Sequence, residues 1–200
     1  MIAYRRIANL LSVALVATTV TACGPSATAR FYTLTSMATA EGTPAANYAV
    51  AVGPVSVPGY VDRPEFVVQV AQNRVELKDF DRWAAPLDEG IARVVAGDLA
   101  TLLGTTQVAA APLPPGFAPA YQATIDVQRF ESTPGQGVLI DAVWVVRKSA
   151  GGDPRMGRTV ASESAGGEGF EALAAAHSRA LAKISGDVAA AIRAAASMTP

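Results

Sequence analysis

The chain has 200 residues, with 16 Lys or Arg, 17 Asp or Glu and one His, so its formal net charge is -1. Half of the residues are hydrophobic and 16% are charged, which excludes a disordered polyelectrolyte and supplies the core of one domain. A single cysteine excludes an internal disulfide framework and a cysteine-rich zinc site. The near-zero charge also argues against general nucleic-acid binding, which needs a basic surface.

Residues 1–22 are predicted to form a cleaved signal peptide. Two arginines precede an uncharged run over 7–22, which is short for a transmembrane helix. The run ends in Val20-Thr21-Ala22-Cys23, which resembles the bacterial lipobox: small residues admit the peptidase, and the thiol accepts a diacylglycerol. We therefore expect lipidation at Cys23, a tether over 23–30 and attachment to a membrane through the lipid.

The residue after the cysteine bears on the choice of membrane. Bacterial lipoproteins kept in the inner membrane often carry Asp at this position, whereas Gly24 stands here. The sorting rule therefore predicts a protein anchored in the outer membrane and facing the periplasm.

The remainder of the chain predicts a single α+β domain over 31–197, a mainly antiparallel sheet with two helices packed on it. Apolar residues at helical spacing predict a helix over 86–103, with Pro86 at its first turn and Gly104 as its stop. A second apolar stripe predicts a helix over the last 30 residues. Strand patterns cover 31–34, 48–57 (interrupted near Gly53-Pro54), 65–70, 74–78, 106–109, 121–130, 137–147 and 159–165.

No arrangement of residues predicts catalysis, and we expect no enzyme, catalytic residue, cofactor or metal site. His177 lies on the apolar stripe of the last helix, where a packed histidine is the favoured interpretation. Asp79, Asp81, Asp88 and Glu89 cluster near the first helix. Paired carboxylates can act in acid–base chemistry, but carboxylates at a helix N-terminus also complement the helix dipole, and that interpretation is favoured. A lipid-anchored hydrolase is the weakest of the hypotheses.

A protein contact is predicted for the segment 57–64. Pro58 and Pro64 restrict its backbone, and Tyr60, Asp62 and Arg63 lie between them. The alternative, left open by the sequence, is a connector in which the two charged residues satisfy local backbone groups. Trp83 is a further candidate contact residue, although a role in stapling the helix entry to the sheet is favoured for it.

These pieces, taken in order, resemble the PqiC family of auxiliary lipoproteins of ABC-type transport systems. No single piece is diagnostic, but the ordered set is fairly specific, and the resemblance covers nearly all of 20–195. The matching pieces are the lipobox cysteine, Phe31-Tyr32-Thr33-Leu34, Pro58-Gly59-Tyr60-Val61-Asp62-Arg63-Pro64, Arg82-Trp83, Pro86-Leu87-Asp88-Glu89-Gly90-Ile91-Ala92-Arg93, the strand with Trp144 and the alanine-rich C-terminal helix.

The resemblance implies a function that composition alone does not indicate. Such lipoproteins accompany MCE-domain proteins, which bridge the periplasm and move lipids or other hydrophobic molecules between membranes. The resemblance therefore implies a docking component, an MCE-domain protein as partner and a homo-oligomeric ring in some members. The alternative hypothesis is a structural envelope lipoprotein that contacts peptidoglycan and has no role in transport.

Overall fold

A computed structural model describes residues 28–40 and 42–197. It contains two helices, α1 (Leu87–Leu103) and α2 (Gly169–Ser197), and eight strands in the described ranges. The strands are β1 (Arg30–Tyr32), β2 (Val50–Ser56), β3 (Glu65–Ala71), β4 (Arg74–Trp83), β5 (Val108–Ala110), β6 (Tyr121–Thr133), β7 (Gly137–Lys148) and β8 (Arg155–Ser164).

Helix α1 begins and ends where the sequence predicts. It follows Pro86 and stops at Gly104, whose φ of 63° and ψ of 34° are left-handed. The Gly104 N–H donates to the Thr101 carbonyl and closes the last turn. The apolar stripe is buried and includes Leu87, Ile91, Val94, Val95, Leu99 and Leu102.

The five-stranded sheet has the order β5-β2-β6-β7-β8. Strands β6, β7 and β8 form the predicted antiparallel meander, whereas β2 runs parallel to both β5 and β6. The predicted interruption of β2 is confirmed by a register shift between Val52 and Val55, with Gly53 at a φ of 114°. Helix α1 packs on β2 and β5, and α2 packs on β7 and β8, so one face of this sheet forms the core.

The remaining three strands form a second sheet in the order β1-β4-β3. Strand β1 is parallel to β4, and β4 continues to Trp83, beyond its predicted end at Lys78. The α+β class with two packed helices is confirmed, but the expectation of one sheet is corrected to two. The reason is that parallel pairing between strands distant in sequence leaves no local pattern in the sequence.

Aromatic side chains fill the space between the three-stranded sheet, α2 and β6. The rings of Phe66 and Trp83 are stacked with centroids 4.4 Å apart, and Phe170 meets Phe66 edge-on at 5.1 Å. Phe130 of β6 lies 6.0 Å from Trp83, and Tyr32 of β1 lies 5.9 Å from Phe66. These contacts join the small sheet to the main body of the domain.

Residues 33–40 and 42–47, of which 37–47 were predicted as a loop, form a segment that contacts both helices through several hydrogen bonds, with Asp98 as the main acceptor. We call this segment the strap. The Asp98 carboxyl of α1 accepts hydrogen bonds from the Ser36 hydroxyl at 2.6 Å and from the Met37 and Ala38 amides at 2.9 and 3.0 Å. Its other oxygen accepts from the Ser185 hydroxyl of α2 at 3.0 Å. Asp98 therefore ties the strap to both helices.

The predicted signal peptide over 1–22 and Cys23 lie outside the described residues, as does most of the tether over 23–30. Neither described helix has both the length and the apolar character needed to cross a membrane.

Candidate docking groove

The segment over 58–64 forms a turn that closes through its own backbone. The amides of Val61 and Asp62 donate to the Pro58 carbonyl at 2.9 and 3.2 Å, and the Arg63 amide donates to the Val61 carbonyl at 2.8 Å. The Val61 side chain is buried, with 3% of its surface exposed, so the turn is fixed to the core by one apolar residue. The backbone of the predicted contact segment is therefore ordered before any partner arrives.

Trp83 links this turn to the start of α1. Its amide donates to the Pro64 carbonyl at 2.7 Å, and the next amide, of Ala84, donates to the Tyr32 carbonyl at 2.9 Å. Its ring is 6% exposed and stacks on Phe66, which agrees with the predicted structural role at the helix entry. As a contact residue, Trp83 offers only the 6% of its surface that is exposed.

The turn and the helix entry enclose a groove of about 370 Å³, which we call the docking groove. Its walls are mainly apolar, and two charged side chains stand on one side, so it suits an apolar side chain next to a charged or polar group. The lining residues are Asp62, Arg63, Pro64, Trp83, Ala84, Ala85 and Pro86.

The two charged residues of the groove lack a side-chain partner in the part of the chain that the structure describes. Within the described ranges, the Asp62 and Arg63 side chains are exposed and take part in no hydrogen bond or ion pair. The connector interpretation required them to satisfy local backbone groups, but the turn does this with its own amides and carbonyls. Both side chains are available to a ligand, and a guanidinium offers a forked set of donors.

Tyr60 is not part of this groove. Its side chain is 41% exposed and lies against β6, where burial raises the pKa of its hydroxyl and a backbone hydrogen bond with Phe130 opposes that rise. The structure thus brings together Asp62, Arg63 and Trp83, and it separates Tyr60 from them.

Of the four remaining groove residues, Pro64 belongs to the predicted contact segment, whereas Ala84, Ala85 and Pro86 were not predicted as contact residues. Ala84 and Ala85 carry no chemical signal, whereas the two prolines marked the boundaries of the turn and of α1 without indicating that they face each other.

The predicted cluster of four carboxylates near α1 is corrected by the structure. Asp88 and Glu89 do lie in the first turn of α1, but Asp81 belongs to β4 and pairs with Arg30 at 2.8 Å.

His177 is a packed core residue, as its place on the apolar stripe predicts. Its ring is fully buried and stacks on Phe130, with centroids 3.9 Å apart and planes 4° apart. Its Nε2 atom lies 2.7 Å from the Ser132 hydroxyl, whereas its Nδ1 atom is buried without a partner. Burial lowers the pKa of His177 to about 3, so the imidazole is neutral at physiological pH.

We expect His177 to make the fold sensitive to mild acid. Between pH 6.5 and about 3, the unfolded chain binds a proton at this residue that the folded chain excludes. The free energy of unfolding should therefore fall as pH falls, by at most about 1.4 kcal/mol per pH unit from this group. Urea unfolding at pH 7 and pH 5 checks this in the wild type and in His177→Phe.

His177→Phe keeps a ring against Phe130 but cannot titrate. At pH 7 it should lower stability, because Ser132 loses its partner, and the further loss of stability between pH 7 and pH 5 should be smaller than in the wild type. Equal losses in the two proteins would contradict the assignment. Since His177 does not line the groove, although its ring lies 6.1 Å from that of Trp83, we expect the variant to retain its function in the cell if it folds.

The sequence matches the model of a known protein family. A model described as the ABC-type transport auxiliary lipoprotein component matches residues 32–189, which is most of the chain. Among curated proteins, none matches the sequence. The docking groove lies within the matched range.

Solved structures share the fold. A Xanthomonas campestris protein of family DUF330 superposes with a TM-score of 0.68 at 18% identity, covering 86% of this chain and 100% of that one. An uncharacterized protein gives a TM-score of 0.67 at 20% identity, covering 82% and 99%. The PelC dodecamer of Paraburkholderia phytofirmans gives a TM-score of 0.37 at 15% identity, covering 75% and 88%. The first two show the fold.

Proposed function

Because the chain belongs to the family of ABC-type transport auxiliary lipoprotein components, we propose that it is the docking component of an MCE/ABC-type intermembrane lipid-transport system. In this proposal it is anchored in the outer membrane, faces the periplasm and receives an MCE-domain protein of the same system. The family is one of transport lipoproteins and not of enzymes, which is consistent with a binding function.

The observation that carries the proposal is the docking groove. It combines a pre-ordered turn, apolar walls and the unpaired side chains of Asp62 and Arg63. A partner segment that presents an apolar side chain beside an acidic group would fill the groove and accept hydrogen bonds from the guanidinium. Because the backbone is already ordered, binding loses less conformational entropy than docking onto a flexible loop.

The anchor completes the proposal. Cys23 is the one cysteine of the chain, and it follows the predicted signal peptide over 1–22. Diacylglycerol at Cys23 holds the domain at the membrane through the tether over 23–30, and Gly24 supports the outer membrane. Labelled palmitate should enter the wild type and not Cys23→Ser.

Assembly into a homo-oligomeric ring is also proposed, on the family resemblance, and is tested by the mass of the purified lipoprotein.

We expect Arg63→Glu to weaken binding of the MCE-domain partner. The reversed charge repels an acidic group in the groove, and loss of an interface anchor costs about 2 kcal/mol or more, roughly thirtyfold in affinity. Co-purification of the partner with the lipoprotein measures the effect. Arg147→Glu makes the same charge change at an exposed position on β7 and serves as the matched control.

Three outcomes are informative. Reduced capture by Arg63→Glu, with normal capture by Arg147→Glu, supports the docking groove. Unchanged capture by both variants places the interface elsewhere, and Tyr60→Ala then tests the surface beside β6. Binding to purified peptidoglycan in place of the partner would favour the structural alternative.

A further inference from the structure

The three-stranded sheet turns an apolar face to solvent. Four large apolar side chains on β1 and β4 are strongly exposed: Phe31 at 63%, Phe80 at 50%, Leu77 at 43% and Val75 at 41%. Soluble domains rarely leave such a group of side chains uncovered without a use for it. We call these four residues the apolar sheet face.

The strand register places Phe31, Leu77 and Val75 on one side of the sheet. Phe31 pairs with Arg82, so these two residues share a side. Phe80 lies in the irregular part of β4, between the pairs formed by Lys78 and Arg82, and half of its surface is exposed. Leu77 pairs with Val67 of β3, and Val75 pairs with Gln69. Glu65 pairs with Arg82, whereas the next residue, Phe66, pairs with Lys78, so β4 has three extra residues at this point. Because three is an odd number, Leu77 and Val75 lie on the same side of the sheet as Arg82.

The opposite side of the sheet belongs to the core. Arg30 and Asp81 are register partners and form a two-point ion pair at 2.8 and 3.0 Å. The Tyr32 hydroxyl donates to the same carboxyl at 2.7 Å, and Trp83 lies beside it in the aromatic cluster. The side of the sheet that carries Phe31 and Arg82 therefore points away from this cluster, whereas further along the same side Val67, the partner of Leu77, is buried.

The length of chain between Cys23 and the first described residue limits how far this sheet can lie from the lipid. Five peptide steps separate Cys23 from Thr28, the first described residue, so they span at most about 18 Å. Strand β1 begins two residues later, at Arg30. If Cys23 carries acyl chains in the bilayer, β1 enters the fold close to the headgroups.

Resting on the lipid anchor of the proposed function, we infer that the apolar sheet face lies against the phospholipid bilayer. The aromatic rings of Phe31 and Phe80 sit at the boundary between headgroups and acyl chains, and the guanidinium of Arg82, on the same side, meets headgroup phosphates. One short tether would leave the domain free to rotate. A second contact fixes its orientation and hence the direction in which the docking groove points.

The test places a fluorescent reporter on the face. In the mature lipoprotein the Cys23 thiol is consumed by the thioether, so a new cysteine is the one free thiol and takes an environment-sensitive dye. Phe80→Cys and Leu77→Cys place the dye on the face, and Met156→Cys places it on β8 of the other sheet, where the native side chain is 70% exposed. Each full-length lipoprotein is reconstituted in vesicles of phosphatidylethanolamine and phosphatidylglycerol, with or without nitroxide-labelled lipid.

We expect emission from the dyes at Phe80 and Leu77 to shift to the blue and to be quenched by the nitroxide lipid, with neither change at Met156. Circular dichroism checks the fold, and two labelled positions guard against a variant that misfolds. A blue shift without quenching would mean that a second copy or another protein covers the face, and it would overturn the inference. Equal quenching at Met156 and Phe80 would also overturn it.

The same samples separate this inference from its premise. A lipoprotein that floats with the vesicles but shows no quenching refutes the bilayer contact and leaves the lipid anchor intact. A lipoprotein that does not float refutes the anchor, and the bilayer contact fails with it. Capture of the MCE-domain partner is measured separately, with Arg63→Glu as the variant that tests it.

Discussion

Gly157→Ala should be among the most destabilising single methyl additions in the domain. An added Cβ would lie 2.3 Å from Cζ2 and 2.6 Å from Cη2 of Trp144, its register partner on β7. The indole cannot easily move, because it is 9% exposed and its Nε1 atom donates to the Thr159 hydroxyl at 3.0 Å. Thr159 in turn donates to Asp187 of α2 at 2.6 Å.

Overpacking and the loss of this hydrogen bond together should cost about 3 kcal/mol. For a domain of this size, that corresponds to a decrease in Tm of roughly 10 °C. Thermal and urea unfolding of the variant measure it. Gly59→Ala is the matched control, since no heavy atom lies within 4 Å of its added Cβ, and it should change stability by less than about 0.5 kcal/mol.

A double-mutant cycle identifies the cause. Trp144→Phe removes the ring atoms that the alanine methyl meets, so the double variant should lose less stability than the sum of the two single variants. Additive losses would show that Gly157 is required for a reason other than its contact with the indole.

Asp98→Ala should release the strap and lower the stability of the whole domain. The substitution deprives Ser36, Ser185 and two strap amides of their shared acceptor, and it leaves a gap beside α2. Loss of hydrogen bonds to a buried carboxyl should cost about 3 kcal/mol. Urea unfolding measures the total loss of stability. Amide hydrogen exchange at Met37 and Ala38 should become faster than in the wild type, by a larger factor than exchange at the centre of β7.

Two further variants define the role of Asp98. Asp98→Asn retains one carbonyl oxygen, so it should lose less stability than the alanine variant. Asp79→Ala removes a carboxyl from an exposed position on β4 and should be nearly neutral. If Asp98→Ala unfolded at the wild-type urea concentration, the strap would be held by contacts other than this carboxyl.

Local patterns predicted the parts of the fold that local physics determines. The helical spacing from Leu87 to Leu102 placed α1 to within a residue, and alternation predicted the meander of β6, β7 and β8. The parallel partners of β1 and β2 were not predicted, because each pairing joins strands separated by a long stretch of chain. The extension of β4 to Trp83 has the same origin, since β1 stabilises its last residues.

The docking groove was predictable in part. Proline spacing and the exposed charges of Asp62 and Arg63 marked the turn, and Trp83 marked the helix entry. That the two segments meet depends on the amide of Trp83 bonding to Pro64, a tertiary contact with no local signature. Asp98 did carry a signal, because it is one charged residue among the buried apolar positions of α1.

The Asp81 and Asp98 contacts also determine the mechanical behaviour of the anchored domain. Tension applied at the lipid enters the fold at Arg30, which is held to Asp81 of β4 by two hydrogen bonds. The chain then passes through β1, whose Tyr32 carbonyl accepts from the Ala84 amide, and reaches the strap, where the Thr35 amide donates to Ser178 and Ser36 donates to Asp98. These attachments therefore act in series, so a pull from the membrane loads the contacts between β1 and β4 before it reaches the contacts between the strap and the helices.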